Sequence, residues 1–208
     1  MVALRGPFVA ELTSWFQDED SVWLAMELCE GGDLFKSLML HGGRLDEHYV
    51  CTEIIAPLLR VLEKSHAMNI MHRDIKPENL FLTRYQKIRV GDFGLAVDWS
   101  KELPFSRSGT LLQESSDVTL EQLQAKGIKP YDDKVDVWAV GVLAYEMVVG
   151  KPPFEVEDEA QTANLIMTSN AITFPTAHSS MWADFVRSVL VKDPQQRPSA
   201  AQLMHHPW

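Results

Sequence analysis

Asp74, Lys76, Asn79 and Asp92 are the residues whose types and spacing can do chemistry. In His72-Arg73-Asp74-Ile75-Lys76-Pro77-Glu78-Asn79 a carboxylate, an ammonium group and an amide follow one another closely, and Pro77 keeps the stretch irregular. Thirteen residues after Asn79 comes Asp92-Phe93-Gly94. Between them, two apolar runs, Leu80 to Leu82 and Ile88 to Val90, flank the polar turn Thr83 to Lys87, so a hairpin returns Asp92 toward Asn79. Asn79 and Asp92 then supply hard oxygen ligands for Mg²⁺. Lys76 neutralises charge on a moving phosphoryl group and Asp74 accepts a hydroxyl proton, a set suited to phosphoryl transfer.

These residues need elements to hold them. Two β-like stretches, Val9 to Phe16 and Val22 to Leu28, are joined by Gln17-Asp18-Glu19-Asp20-Ser21 and read as a hairpin. Past Gly31-Gly32 the spacing predicts a short helix over 34–40 and a long one over about 46–67, with Val50, Ile54, Leu58, Val61 and Leu62 near helical period. From Lys134 the pattern is helical over about 134–149, 157–168, 180–191 and 199–206. Strands in front and helices behind give an α+β chain that is mainly α.

Composition narrows the function. A chain of 208 residues, 46% of them hydrophobic, can bury a core, and a net charge of −10 argues against nucleic acid as the partner. The longest apolar run, around Val135 to Gly150, contains Asp136 and Glu146 and is too short for a bilayer, so no membrane insertion is expected. Met1 to Leu12 holds no secretory core, and Cys29 and Cys51 form no C-x-x-C pair. A reducing compartment, cytoplasmic or nuclear, follows, and both thiols are expected to be packed. The His205-His206 pair reads as a frayed helix end.

HRDIKPEN and DFG at this separation resemble the eukaryotic protein kinases, and Lys76 two places after Asp74 resembles their serine/threonine branch. The likeness covers essentially every residue, and Lys134 to Glu155 is worded most like Aurora-like and AGC-type kinases. It implies ATP and Mg²⁺ as cofactors and a protein Ser/Thr hydroxyl as acceptor. Met26 would be the gatekeeper, the Glu27 carbonyl and Cys29 amide would meet adenine, Asp33 would face the ribose and Phe81 would form the adenine floor. His72 would pack under Phe93, Asp136 would hold the catalytic-loop backbone, and Arg197 would form a buried pair near the C-terminus. Thr110 would bridge Asp74 and Lys76. Arg73 would pair with an activating phosphate, for which Ser106 and Ser108 are candidate acceptors. A small-molecule phosphotransferase of the aminoglycoside-kinase type is the nearest rival enzyme; Lys76, the glycine of DFG and Arg197-Pro198 favour the protein kinases.

The sequence also departs from that family. It holds no G-x-G-x-x-G. By resemblance residues 1–30 are expected to be a two-strand remnant of the N-terminal lobe, whose exposed strand edge a partner would cover. Residues 31–208 would be the C-terminal lobe, with an atypical activation segment over 92–133. Where the family has A-P-E, the register gives Ser115-Ser116-Asp117, so Asp117 is the expected mate of Arg197. Thr110 to Asp136 is longer than the family's usual spacing, and Thr119, Gln122 and Gly127 predict a short extra helix there. Weak ATP binding and little activity are the expectation for the 208-residue chain. The alternative is an inactive kinase-like scaffold or binding module.

Overall fold

The computed structural model describes residues 2–101, 132–156, 158–168 and 172–208. The chain opens with an antiparallel hairpin, β1 (Leu12–Gln17) and β2 (Val22–Met26), in register Trp15↔Leu24 and Phe16↔Trp23. Its turn is fixed by Asp18, which accepts from the Asp20 and Ser21 amides at 3.0 and 2.8 Å and from Trp23 Nε1 at 2.7 Å. The hairpin starts later than its sequence suggests. Val9 does not join β1 but bridges to Val90, with the Ala10 amide bonded to the Val90 carbonyl at 2.9 Å and the Val90 amide to the Phe8 carbonyl at 2.7 Å. An apolar segment that finds a buried partner strand pairs there and leaves the exposed hairpin.

Asp33 caps α1 (Leu34–Leu40) by accepting from the Lys36 amide at 2.8 Å. The long helix expected over 46–67 is composite: α2 (Glu47–Tyr49), a π-helical segment (Val50–Ile55) and α3 (Ala56–Ala67). Pro57 is the reason. It has no amide to donate and its ring would meet the Glu53 carbonyl of an ordinary turn. The wider π turn, in which the Ala56 amide reaches the Cys51 carbonyl, accommodates it.

Two short antiparallel pairs follow, β3 (Ile70–Met71) with β6 (Val97–Asp98) and β4 (Leu80–Leu82) with β5 (Ile88–Val90). Behind them α4 (Lys134–Val149) runs through the core, apolar on nearly every face, and ends at Gly150, whose φ of 89° only glycine adopts readily. Around it lie α5 (Glu159–Thr168), α6 (Ser180–Val189) and α7 (Ala200–Leu203), the last begun by a Ser199/Gln202 capping box and shorter than the predicted 199–206. Trp182 is fully buried between α6 and α4 and satisfies its indole on the Ala144 carbonyl at 3.1 Å. Among the described residues no helix is long and apolar enough to cross a membrane.

The α4/α6 contact makes a prediction. A methyl on Gly141 would lie 2.7 Å from Val189 Cγ1 and 2.8 Å from Leu190 Cδ2. Ala gains about 1 kcal/mol of helix propensity over Gly, but overpacking a closed core costs about 1–3 kcal/mol. Gly141→Ala is therefore expected to lose stability by about 1 kcal/mol net. A urea midpoint that rises would show that the contact yields.

Candidate active site

The loop that carries Asp74, Lys76 and Asn79 hangs from α4. After β3 the backbone turns sharply at Arg73, where φ is 68°. Asp136, buried in the first turn of α4, accepts the His72 amide at 2.8 Å on one oxygen and the Arg73 amide at 2.7 Å on the other. His72 is buried as well. Its Nε2 meets the Gly91 carbonyl at 2.9 Å and its Nδ1 accepts the Asp74 amide at 3.3 Å, a pattern that requires the neutral Nε2–H tautomer. Burial pushes the pKa of His72 down and favours that form. The imidazole stands 4.6 Å from the Phe93 ring, centroid to centroid.

Asp74, Lys76 and Asn79 are brought together on this loop. Asp74 Oδ2 pairs with Lys76 Nζ at 2.9 Å and accepts from Asn79 Nδ2 at 2.8 Å; the same Nδ2 also reaches the Asp74 carbonyl at 2.8 Å. Oδ1 of Asp74 has no hydrogen-bond partner among the described residues. Burial alone would raise the Asp74 pKa, but the bonds from Lys76 and Asn79 outweigh it and hold the carboxyl below its ordinary value. Asp74 in turn raises the pKa of Lys76.

The β4/β5 hairpin returns Asp92 to this loop, as the Gly91 amide donates to the Asn79 carbonyl at 3.0 Å. Asp92 sits at a left-handed φ of 51° and accepts the Gly94 amide on Oδ1 at 3.2 Å. Both residues retain a hard oxygen with no hydrogen-bond partner among the described residues, Oδ1 of Asn79 and Oδ2 of Asp92. Two such donors with phosphate oxygens and water suit Mg²⁺, which seldom takes an all-protein cage. The described residues contain no group of three or more His, Cys, Asp or Glu able to hold a metal.

Where the resemblance puts the adenine, the Glu27 carbonyl and Cys29 amide make no hydrogen bond among the described residues, so an acceptor and a donor are open along one edge. The Glu27 side chain turns away to Arg89, whose Nε lies 3.0 and 3.1 Å from its two oxygens. Asp33, expected at the ribose, has both oxygens engaged by Lys36, one as helix cap and one as an ion pair at 2.8 Å. That pair is solvent-exposed on the lysine side and is worth at most about 1 kcal/mol, so it can yield to a sugar hydroxyl. Phe81 bridges in backbone to Asp33 and lies under Gly91, where an added Cβ would come 2.6 Å from its ring. Met26 ends β2 and is partly exposed.

Thr110, Ser106, Ser108 and Asp117, with the extra helix expected near them, lie outside the described residues. Arg73 donates through Nε to the Leu95 carbonyl. Buried Arg197 donates to the Val191 carbonyl at 2.9 and 3.2 Å and to the Lys134 carbonyl, and stacks 4.9 Å from the Trp138 ring centre. No carboxylate among the described residues comes within ion-pair distance of it.

Sequence reasoning missed His66. At the end of α3 it places Nε2 2.9 Å from Asp136 Oδ2 and Nδ1 3.3 Å from Asp133 Oδ2, the latter an ion-pair contact out of hydrogen-bond alignment. Burial disfavours its cation, yet the two carboxylates prevail and raise the pKa from 6.5 to about 8. A raised pKa means stability that is complete below about pH 6.5 and is lost as pH rises through about 8. The shift corresponds to about 2 kcal/mol. Urea midpoints are expected to fall between pH 6.5 and 9, and less so in His66→Gln; a flat profile would contradict the pairing.

The protein kinase domain family model matches residues 1–208. Relatives include mouse Aurora kinase C, 36% identical over 202 residues, 96% of this chain and 69% of that protein. Aurora/IPL1-related protein kinase 2 of Caenorhabditis elegans is 33% identical over 207 residues, and the match spans 64% of it. Serine/threonine-protein kinase Nek3 of rice is 35% identical over 207 residues, 34% of its length. Aurora kinase B of zebrafish is 34% identical over 207 residues, 61% of its length. With the family model matched from end to end and the Asp74/Lys76/Asn79 loop hung from Asp136, the chain belongs to the protein kinase domain family.

Proposed function

We propose that this chain carries the phosphoryl-transfer centre of an ATP-dependent serine/threonine protein kinase. The observation that carries the reading is Asp74: one oxygen is tied to Lys76 and Asn79, the other is open, and the whole loop is suspended from buried Asp136. Asp74 is ionised at neutral pH and aims its open oxygen at an incoming hydroxyl. As the hydroxyl oxygen bonds to the terminal phosphorus, its proton passes to Asp74 and the bond to the ADP oxygen breaks. Lys76 lies beside the phosphoryl oxygens that gain charge. Asn79 and Asp92 would hold Mg²⁺, which supplies neutralisation of phosphate charge when bound. The open Glu27 carbonyl and Cys29 amide support an adenine edge here, with Phe81 as its floor, Asp33 near the ribose and Met26 as gatekeeper. Thr110 at the peptide side, Arg73 facing a phosphorylated Ser106 or Ser108, and Asp117 against Arg197 complete the reading.

A second reading, a kinase-like binding module, draws on one feature of the fold. Trp15, Phe16, Val22, Trp23 and Leu24 are each 52–62% exposed on β1/β2, an apolar sheet that a partner would cover. The test is transfer of labelled phosphate from Mg²⁺-ATP to a generic Ser/Thr peptide, with an aminoglycoside as competing acceptor. Slow incorporation into peptide Ser/Thr, dependent on Asp74, is expected. Incorporation only into the small alcohol sinks the protein-kinase reading, and none into either supports the binding module.

A further inference from the structure

Two surface features belong to no step of the proposed chemistry, and each offers what the other lacks. The first is a groove of about 310 Å³ between the opening segment and α3. Its floor is apolar, with Leu4, Val9 and Val61 buried and Phe8 partly buried, while Arg5, Arg60 and Lys64 stand exposed around it. The walls are held in place: Lys64 Nζ donates to the Arg5 carbonyl at 2.7 Å, and the Arg60 guanidinium lies 5.9 Å from the Phe8 ring centre. No carboxylate among the described residues, exposed Glu63 of α3 included, comes within ion-pair distance of these three cations. The second feature is the tip of the β1/β2 hairpin. Phe16 and Trp23 stack there with ring centroids 5.9 Å apart and are 60% and 52% exposed. Between them the turn carries Asp18, Glu19 and Asp20. Asp18 is engaged within the turn, whereas exposed Glu19 and Asp20 meet no cation among the described residues.

We propose that the groove is a docking site for the hairpin tip of a second copy of this chain, exchanged reciprocally so that two copies close a dimer. An apolar floor ringed by cations fits an occupant that offers aromatic surface flanked by carboxylates, and the hairpin tip is such an element. None of the residues that line the groove comes from the hairpin, so a chain does not fill its own groove. Net charge decides how copies can approach. At −10 two copies repel, and a contact between them must set clustered cations against carboxylates. Arg5, Arg60 and Lys64 form such a cluster, and Asp18, Glu19 and Asp20 answer it in number and sign. Ala10 and Glu11 alone separate the groove segment from β1, whose six residues carry the tip about 20 Å away. The arms of a reciprocal pair therefore run antiparallel past each other across a two-fold axis, and each covers part of the other's exposed apolar sheet. This names the partner of that sheet and does not depend on whether the chain transfers phosphate.

The test is the mass of the full 208-residue chain in solution, followed by sedimentation over about 1–100 μM, the range in which so small a contact associates. A dimer is expected, and raising NaCl from about 50 to about 500 mM is expected to weaken it by about tenfold or more. Glu19→Lys/Asp20→Lys in the tip and Arg60→Glu/Lys64→Glu in the groove are each expected to be monomeric, because like charges then meet. An equal mixture of the two variants is expected to pair again, since each tip then faces a groove of opposite sign. A wild type that stays monomeric overturns the proposal, and an acidic peptide containing Phe and Trp that binds the groove would then assign it to another protein. A dimer that tightens with salt or ignores the groove substitutions is association of bare sheets and overturns the proposal as well, as do masses that grow past two copies. If Arg60→Glu/Lys64→Glu fails to fold, the tip variant and the salt series still decide the matter.

Discussion

Asp136→Ala is expected to lose about 3–5 kcal/mol of stability, the largest effect of any single substitution near the site. Asp136 is 1% exposed and serves three donors, the His72 amide, the Arg73 amide and His66. Alanine leaves two amides without acceptors, each worth about 1–3 kcal/mol when buried. It also leaves the His66 cation to Asp133 alone. These losses overlap because the groups share one carboxylate, so they do not sum. Against a typical total of about 5–15 kcal/mol, a loss of this size leaves the chain marginal. Asp136→Asn should fall between, since one oxygen still accepts while its NH₂ faces a donor. Urea unfolding of the three proteins at pH 6.5 and 9 checks both parts. A deficit under about 1 kcal/mol for alanine would mean that the amides find water, contrary to their burial. The pH slope should also shrink in Asp136→Ala, because half of the carboxylate bracket that raises His66 has gone.

Legibility of the fold followed the reach of each determinant. The β4/β5 hairpin, α1 and α4 stand where the residues put them, since local signals set their ends: a polar turn, the Asp33 cap and Gly150. The boundaries that moved depend on remote partners. Val9 is strand-like by type, but its pairing is decided by Val90. The π segment could have been inferred from Pro57 inside an otherwise helical run, a signal present in the sequence and read as uninterrupted helix. At the site, Asp74, Lys76 and Asn79 were visible because one loop carries all three. His66 was not, because its meaning lies in Asp136, separated from it by 70 residues, and nothing in the sequence around a helix-terminal histidine specifies that contact.

Asp74→Asn is expected to reduce kcat by about 10²- to 10⁴-fold, the usual worth of a positioned general base, while the chain stays folded. The two halves of that expectation have separate causes. Asparagine can still accept from Asn79 Nδ2, so the loop keeps that internal bond, whereas the ion pair with Lys76 is lost. The lysine side chain is 46% exposed and the aspartate 26%, and a pair so solvated contributes at most about 1 kcal/mol. The amide, however, has no lone-pair site basic enough to take the hydroxyl proton. KM for ATP should barely change, since in the proposed reading Asp74 serves the acceptor hydroxyl while the Glu27 and Cys29 edge serves the adenine. The pH profile gives an independent check. Lys76 and Asn79 hold the Asp74 carboxyl below its ordinary 3.8 against the opposing effect of burial, so the base stays charged above that value. The acid limb of kcat/KM should therefore fall below the ordinary carboxylate range, and Lys76→Met should move it upward by removing the larger of the two supports. A kcat that drops less than about tenfold in Asp74→Asn, or an acid limb indifferent to Lys76, would remove Asp74 from the role of base and leave it as a structural brace of the loop.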